Sequence, residues 1–137
     1  MTELKQIYKC TVCGNIVEVL HTGVGTLVCC GQPMEFMAAK TQDQGFEKHV
    51  PVIKDLPANA CRVKDGCKIK IGAQEHPMTA EHHIEWIEIV TADGKAGKKF
   101  LKPNDLPESD FYTRMNVVGA RAYCNVHGLW EMKTAAN

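Results

Sequence analysis

Short runs of alternating apolar and polar residues, separated by turn residues, dominate the chain from about residue 47 onward. The runs are "HVPVI", "ACRVKDGCKIKIG", "HHIEWIEIVTADGKAGKKFLK" and "DFYTRMNVVGARAYC". Alternation with a period of two is typical of β-strands that bury one face, and "KDG" and "ADGK" have the composition of hairpin turns. Prolines at positions 51, 57, 77, 103 and 107 leave little room for long helices. The pattern therefore predicts a β-sandwich of about seven strands.

The first 37 residues follow a different pattern, rich in cysteine and glycine. A short knuckle precedes an apolar strand over Ile16–Leu20, and a Gly-Val-Gly turn leads to a second strand that ends in Cys29–Cys30. A segment of this length is too short to bury a sufficient core without a staple, which a metal ion would supply. We therefore predict an N-terminal domain over residues 1–37, a polar linker over 38–46 and a second domain over 47–137.

Composition narrows the class of protein. Of 137 residues, 45% are apolar, and sixteen basic residues balance sixteen acidic ones. This balance gives no electrostatic reason to expect a nucleic acid or an anionic membrane as a partner. No apolar run approaches the roughly 20 residues that span a bilayer, and the N-terminus lacks the apolar core of a signal peptide, which predicts a cytoplasmic protein. In a reducing cytosol, seven cysteines indicate metal ligands or catalytic groups rather than disulfides.

Four cysteines in the first domain form a candidate metal site. Cys10 and Cys13 are separated by two residues, so both thiolates lie on one tight turn, and Cys29 and Cys30 would complete an all-sulfur tetrahedron. Such a donor set suits zinc or iron. Because the second pair is adjacent in the chain, we expect a distorted tetrahedron. Spacing alone leaves open whether the metal only holds the fold or also has a function.

A second candidate site combines histidines with one late cysteine: His49, His76, His82, His83, Cys124 and His127. Taken singly, a loop histidine is usually just solvated, and a cysteine near a strand end is usually a small core residue. The three-residue spacing of Cys124 and His127 lets both side chains face one point. If residues 82–89 form a strand, His82 and His83 face opposite sides of it. Both sides carry apolar residues, so alternation does not choose between these two histidines.

Several motifs occur together and in order: "YKCTVCGNIVEVL", "LVCCGQPM", "EKHVPVI", "EHPM", "HHIEWIE", "FLKP" and "YCNVHGLW". From about residue 7 to residue 131 the chain resembles the desulfoferrodoxins, which are two-iron superoxide reductases. The resemblance implies a mainly β fold, with a desulforedoxin-like N-terminal domain followed by a neelaredoxin-like, immunoglobulin-like β-sandwich. It also implies a homodimer and a rubredoxin-like electron donor.

The resemblance further implies two iron ions and the residues that hold them. The first iron would be held by Cys10, Cys13, Cys29 and Cys30. The catalytic iron would have four equatorial imidazoles and one axial thiolate, supplied by His49, His76, His82, His127 and Cys124. By the same resemblance Lys48 attracts superoxide, Glu47 occupies the sixth position of the ferric iron, and His83 and His21 are bystanders. The implied reaction reduces superoxide to hydrogen peroxide without forming dioxygen, and single-iron relatives carry it out without the first centre.

Two other functions compete with this prediction. An electron carrier or structural metal-binding module would need only the four-cysteine site, and would not need an open coordination position beside a lysine. A zinc hydrolase is disfavoured, because five protein ligands exceed the usual three of a catalytic zinc ion.

Cys61 and Cys67 belong to no motif of the resemblance. If "KDG" is a three-residue loop, Val63 pairs with Cys67 and Cys61 pairs with Ile69, which puts both cysteines on one buried face. Their Cα atoms would then be diagonal neighbours, about 7–8 Å apart. Disulfides usually need less than ~7 Å. Two buried thiols are therefore favoured over a redox pair.

Overall fold

The computed structural model describes residues 1–42, 49–55, 66–113 and 115–134. The chain divides into two compact units, Met1–Ala38 and Ala39–Asn137. Every regular element in the described residues is a β-strand, as the sequence predicts. Among these residues, no helix has the length and apolar character needed to cross a membrane.

The first unit contains five short strands. They are β1 (Ile7–Lys9), β2 (Ile16–Glu18), β3 (Val28–Cys29), β4 (Gln32–Pro33) and β5 (Glu35–Phe36). β1 pairs antiparallel with both β2 and β5, while β3 and β4 form a separate hairpin. Very few apolar side chains are buried here: Ile7, Cys10 and Val19. A core of this size leaves the unit dependent on a further constraint.

The second unit contains seven strands in its described part. They are β6 (Pro51–Asp55), β7 (Gly66–Ile71), β8 (Ile84–Thr91), β9 (Ala96–Phe100), β10 (Glu108–Tyr112), β11 (Val117–Cys124) and β12 (Gly128–Lys133). They form a three-stranded sheet in the order β10-β7-β6 and a four-stranded sheet in the order β12-β11-β8-β9. The predicted sandwich of about seven strands is confirmed.

Strand alternation builds the core between the two sheets. Along β7, the side chains of Cys67, Ile69 and Ile71 are buried, with exposed fractions of 4%, 0% and 0%. The same cluster contains Phe111 of β10 and a set from the other sheet: Ile84, Ile87, Ile89, Ala120, Ala122 and Cys124. Because successive side chains of a strand face opposite sides, period-two alternation places most of this set inward. Ile84 lies three residues before Ile87 and joins the set through the register shift between Tyr123 and Cys124. The predicted buried face of β7 is confirmed.

One of the two predicted hairpins can be compared with the structure. β8 and β9 are joined by the "ADGK" turn, where the N–H of Thr91 donates to the carbonyl of Lys95 at 2.9 Å. Gly94 has φ = +85°, a left-handed conformation that costs glycine little because it has no Cβ. The "ADGK" hairpin is confirmed. Most of the "KDG" turn and all of residues 56–65, which include Cys61, lie outside the described residues.

The predicted partner of β7 is wrong. β7 pairs with β6 on one edge and with β10 on the other, so Ile69 faces Ile53 and Ser109. These two partners occupy both edges of β7 at Ile69, which differs from the predicted register in which Ile69 pairs with Cys61. Cys61 itself lies outside the described residues. The sequence turn signal was local, whereas the pairing is decided by strands from elsewhere in the chain.

Antiparallel pairing brings several strand ends to one end of the sandwich. β6 begins where β7 ends, because Pro51 faces Ile71. In the other sheet, Cys124 at the end of β11 faces both Ile84 and Gly128, which begin β8 and β12. The candidate side chains of the second unit lie at or beside these ends: His49, His76, His82, Cys124 and His127.

Candidate metal centres

The four cysteines of the first unit converge on one point. Cys10 follows β1, Cys13 lies in the turn after it, Cys29 ends β3, and Cys30 lies in the turn between β3 and β4. Their four sulfur atoms all lie within 4.8 Å of one another. The Sγ atoms of Cys13 and Cys29 are 3.6 Å apart, and those of Cys29 and Cys30 are 3.9 Å apart. This is the all-sulfur cluster that the spacing predicts.

A two-residue hairpin turn explains how adjacent cysteines face the same point. Cys29 pairs with Gln32 across the β3–β4 hairpin, so Cys30 and Gly31 are the central residues of the turn. Both have positive φ, +54° and +76°, as in type I′ turns. In an extended strand, neighbouring side chains would point to opposite faces. The left-handed turn at Cys30 brings its sulfur back beside that of Cys29.

The electrostatics of this cluster favour a bound cation. The backbone N–H of Cys13 donates to Sγ of Cys10 at 3.5 Å and lowers the pKa of that thiol to about 6. Hydrogen bonding with the side chain of Cys13 raises the pKa of Cys30 to about 12 and also raises the pKa of Cys29. One thiolate is therefore readily formed, but further ionisation beside it is unfavourable. A metal ion removes that penalty, and thiolate ligation suits iron or zinc.

Four imidazole rings form a square in the second unit. Along its sides, the centroids of His49 and His76 are 4.6 Å apart and those of His76 and His82 are 4.8 Å apart. The sides from His127 to His82 and to His49 are 5.0 and 4.9 Å, and the diagonal from His49 to His82 is 6.3 Å. Neighbouring rings are inclined by 67° to 84°. This arrangement suits four nitrogen donors in one plane around a single ion.

Cys124 adds a fully buried sulfur to the ring square. Its Sγ and one nitrogen from each of His49, His76 and His82 all lie within 4.8 Å of one another. Nδ1 of His127 lies 4.0 Å from the same sulfur, although His127 itself is exposed and lies outside that tighter group. The backbone N–H of His127 donates to Sγ of Cys124 at 3.4 Å, which stabilises a thiolate there.

The tautomer of His76 is set by its neighbour. Nδ1 of His76 lies 2.7 Å from the carbonyl oxygen of Pro77. Because a carbonyl oxygen only accepts hydrogen bonds, Nδ1 carries the proton and Nε2 carries the lone pair that a metal requires. Metal-binding histidines are commonly oriented in this way by a carbonyl on the other ring nitrogen.

His82 and His83 both precede β8, which begins at Ile84. The prediction of a strand from residue 82 is therefore wrong by two residues, and strand alternation does not govern either side chain. His82 closes a tight turn with Thr79, with backbone hydrogen bonds of 2.9 and 3.3 Å between them. The ring of His82 lies in the square, whereas His83 does not belong to the cluster.

Comparison with known proteins agrees with both clusters. The desulfoferrodoxin family model matches residues 41–133, and the model of the desulfoferrodoxin N-terminal domain matches residues 2–37. The chain belongs to the desulfoferrodoxin family. It is 53% identical over 133 residues to a desulfoferrodoxin homolog of Archaeoglobus fulgidus, covering 96% of this chain and 98% of that protein.

Further relatives extend this likeness to a solved structure. The chain is 53% identical over 126 residues to a desulfoferrodoxin of Nitratidesulfovibrio vulgaris, covering 92% of this chain and 94% of that one. The crystal structure of the superoxide reductase from Treponema pallidum superposes with a TM-score of 0.73 at 25% identity, covering 93% of this chain and 97% of that one.

The donor sets of both clusters fit iron. Four sulfurs are a common donor set for iron or zinc. The second cluster offers imidazole nitrogens and a thiolate but no carboxylate among its described members. This mixture suits iron, and its number of donors exceeds that of a typical catalytic zinc site. The predicted residues Glu47 and Lys48 lie outside the described residues.

Sequence reasoning missed a layer of residues around the second cluster. The indole of Trp130 stacks on the ring of His49 at 4.6 Å and 13°, and its Nε1 donates to the carbonyl of His127 at 3.2 Å. The ammonium of Lys40 lies 5.0 Å from the indole centroid and donates to the same carbonyl at 3.0 Å. Lys40 falls in the segment predicted as a linker, yet it bridges to β12 at Trp130. Trp130 lay within a recognised motif without an assigned role.

Proposed function

We propose that this chain is a superoxide reductase, which reduces superoxide by one electron to hydrogen peroxide without forming dioxygen. The observation that supports it most strongly is the square of four imidazole rings beside the buried sulfur of Cys124. We assign the catalytic iron to His49, His76, His82, His127 and Cys124. The Treponema pallidum protein with the same fold is itself a superoxide reductase.

The residues of this site define its chemistry. When bound, a ferrous ion supplies the single electron that superoxide needs. The five proposed donors would hold the ion and would leave it able to bind a small anion as well. Neutral imidazoles and a single thiolate leave a net positive charge on the ferrous site, which attracts superoxide. The thiolate of Cys124 would donate electron density to a bound iron ion, as a cysteine thiolate does in some haem proteins. Two protons complete the peroxide, and an external donor must restore the electron.

The first unit holds the first of the two irons. We assign it to Cys10, Cys13, Cys29 and Cys30, whose sulfurs converge within 4.8 Å. Two of these residues, Cys13 and Cys30, are exposed, so electrons can reach the cluster from a partner at the surface. We propose that this iron is an accessory centre rather than part of the reaction with superoxide.

The proposal also includes Lys48 and Glu47, which immediately precede the proposed ligand His49 in the sequence. A lysine at the mouth of the open position raises the encounter rate with an anion, and the gain falls as salt screens the charge. Lys48→Ala should slow the second-order reaction with superoxide by about 10-fold at low ionic strength and leave the iron bound. Lys54→Ala, at an exposed position of β6, is the matched control. Equal rate constants for Lys48→Ala and wild type at low salt would remove Lys48 from the mechanism.

The reaction products test the function itself. Reduced protein mixed with a known amount of superoxide should form an equimolar amount of hydrogen peroxide, with no dioxygen released by the reaction. Dismutation would instead give half that amount of peroxide together with dioxygen. A protein that keeps both irons but leaves the superoxide decay at its spontaneous rate would be an electron carrier.

Cellular context completes the proposal. None of the cysteines in the described residues forms a disulfide bond, which agrees with a reducing compartment and supports the cytoplasm as the location. The family resemblance favours a homodimer and a rubredoxin-like electron donor. Light scattering on the purified protein tests the dimer, and the rate at which reduced rubredoxin restores the ferrous state tests the donor.

A further inference from the structure

His82 lies in a tight turn that has its own hydrogen bonds. His82 and Thr79 exchange two backbone hydrogen bonds, and the Thr79 hydroxyl contacts both polar backbone groups of His82, at 3.1 and 3.2 Å. These bonds define the shape of the turn. They do not define where the turn lies relative to His49, Cys124 and His127, which come from distant parts of the chain.

Asn125 makes three hydrogen bonds that connect this loop to the turn after β11. Its Oδ1 accepts from the backbone N–H of His83 at 2.9 Å, and its Nδ2 donates to the carbonyl of Glu81 at 3.0 Å. Its backbone N–H donates to the carbonyl of His83 at 3.2 Å. The bonded groups are those immediately before and after His82, and Asn125 itself immediately follows Cys124.

We propose that Asn125 is a positioning residue that sets the distance between the imidazole of His82 and the thiolate of Cys124. The proposal rests on the ligand set of the proposed function. His82 is adjacent in the chain to Glu81 and His83, whose backbone groups Asn125 bonds. Cys124 is adjacent to Asn125 itself. Few rotatable bonds therefore separate the two ligands. The β8–β11 ladder already pairs Ile84 with Cys124. The bonds of Asn125 extend this connection beyond the end of β8, to the residues on either side of His82.

A carboxamide is the side chain that this position requires. One of its partners is a donor and the other an acceptor, and only a group with an acceptor and a donor on one carbon satisfies both. The same pair of partners fixes the orientation of the amide, because a flipped amide would oppose N–H to N–H. Aspartate keeps the acceptor, but it loses the donor and faces the Glu81 carbonyl with negative charge. Alanine loses both.

The test compares Asn125→Ala, Asn125→Asp and the control Asn116→Ala in the iron-loaded protein. Asn116 is an exposed asparagine of the same unit, remote in sequence from the proposed ligands. Two readouts are followed: the rate at which a ferrous chelator removes the catalytic iron, and the visible thiolate-to-iron absorption of the oxidised form. Loss of an outer-shell partner commonly costs 10–100-fold in metal affinity. We expect Asn125→Ala to release iron about 10-fold faster or more and to shift the absorption.

Asn125→Asp should fall between alanine and wild type, while Asn116→Ala and the absorption of the four-cysteine centre should not change. Release within twofold of wild type for Asn125→Ala, with an unshifted absorption, would overturn the proposal. If the second cluster of the wild type binds no iron, the proposed function fails. In that case, amide hydrogen exchange of His83 tests whether the side chain of Asn125 holds the His82 loop in place. Loss of its protection in Asn125→Ala, but not in Asn116→Ala, supports the link, and equal protection overturns it.

Discussion

The two units use a metal ion in opposite ways. In the first, the only buried apolar side chains in the described residues are Ile7, Cys10 and Val19, and one of these is itself a proposed ligand. In the second, a cluster of ten buried residues lies between two sheets. A small unit without a core folds on its metal, whereas a unit with a core can hold its metal ligands in place beforehand. The first unit therefore depends on its metal ion to fold, whereas the second unit folds on its own core and holds the ligands of its metal ion in place.

The origin of the ligands differs in the same way. The four cysteines lie on two turns of one short unit, so they are close in the sequence. The proposed ligands of the second centre lie in loops beside β6, β7, β8 and β12 and at the last residue of β11, and they meet only when both sheets have formed. Mutations at the two centres should therefore have different consequences for stability and activity.

The largest effect is expected at the thiolate of the second centre. Cys124→Ser removes the sulfur donor at a site with no exposed surface, and serine does not replace a thiolate as an electron donor. We expect superoxide reduction to fall by more than the roughly 100-fold that loss of an outer-shell partner can cost. The second unit should remain folded, because its core is intact. Stopped-flow kinetics and circular dichroism measure the two quantities, and a variant with more than a tenth of wild-type activity would contradict the assignment.

The matched change in the first unit should have the reverse outcome. Cys13→Ser removes one of four sulfurs from an exposed cluster, so the first iron and its visible absorption should be lost. Because metal binding is folding free energy in such a unit, residues 1–38 should lose stable structure as well. Superoxide reduction should stay within about threefold of wild type, since the proposed catalytic site lies entirely in the second unit. Loss of activity together with the first iron would show that the accessory role is wrong.

The smallest effect is expected in the β8–β9 hairpin, away from both centres. The carboxylate of Asp93 accepts from the hydroxyl of Thr91 and from the N–H of Lys95, and these bonds lower its pKa. A lowered pKa in the folded state stabilises the fold above the unfolded value of about 3.9, and this contribution is lost as the pH falls through the folded value. Asp93→Asn should therefore lower the Tm of the second unit slightly at neutral pH.

The difference in Tm between Asp93→Asn and wild type should disappear in strong acid, where both side chains are neutral. Thermal unfolding of the metal-free proteins at several pH values measures it, because proton competition at the metal ligands is then absent. A difference that stays constant down to the lowest pH would show that the charge of Asp93 has no part in it.

What the sequence reveals depends on how local each feature is. The four-cysteine cluster and the buried face of Cys67, Ile69 and Ile71 follow from spacing and alternation, and the structure contains both. The partners of β7 do not follow from the turn motif, because β7 pairs with β6 and with β10, which is distant in the chain. The pairing of strands is a tertiary choice that a turn motif does not encode.

Strand periodicity does not predict the histidine cluster, for a related reason. His82 and His83 precede the first residue of β8, so alternation carries no information about which one faces the cluster. The family resemblance selected His82, and the structure places its ring in the square. Asn125 and Trp130 lie in a recognised motif, but their partners are distant in the sequence, so only the folded chain reveals what they contact.

Amide hydrogen exchange on the metal-free chain tests the contrast between the units most directly. After both irons are removed by a chelator under reducing conditions, amides of β1 and β2 should exchange at nearly unprotected rates. Amides of β7, β8 and β11 should keep strong protection, because their hydrogen bonds depend on the apolar core. Protection that survives in the first unit, or that is lost in both units together, would contradict the account.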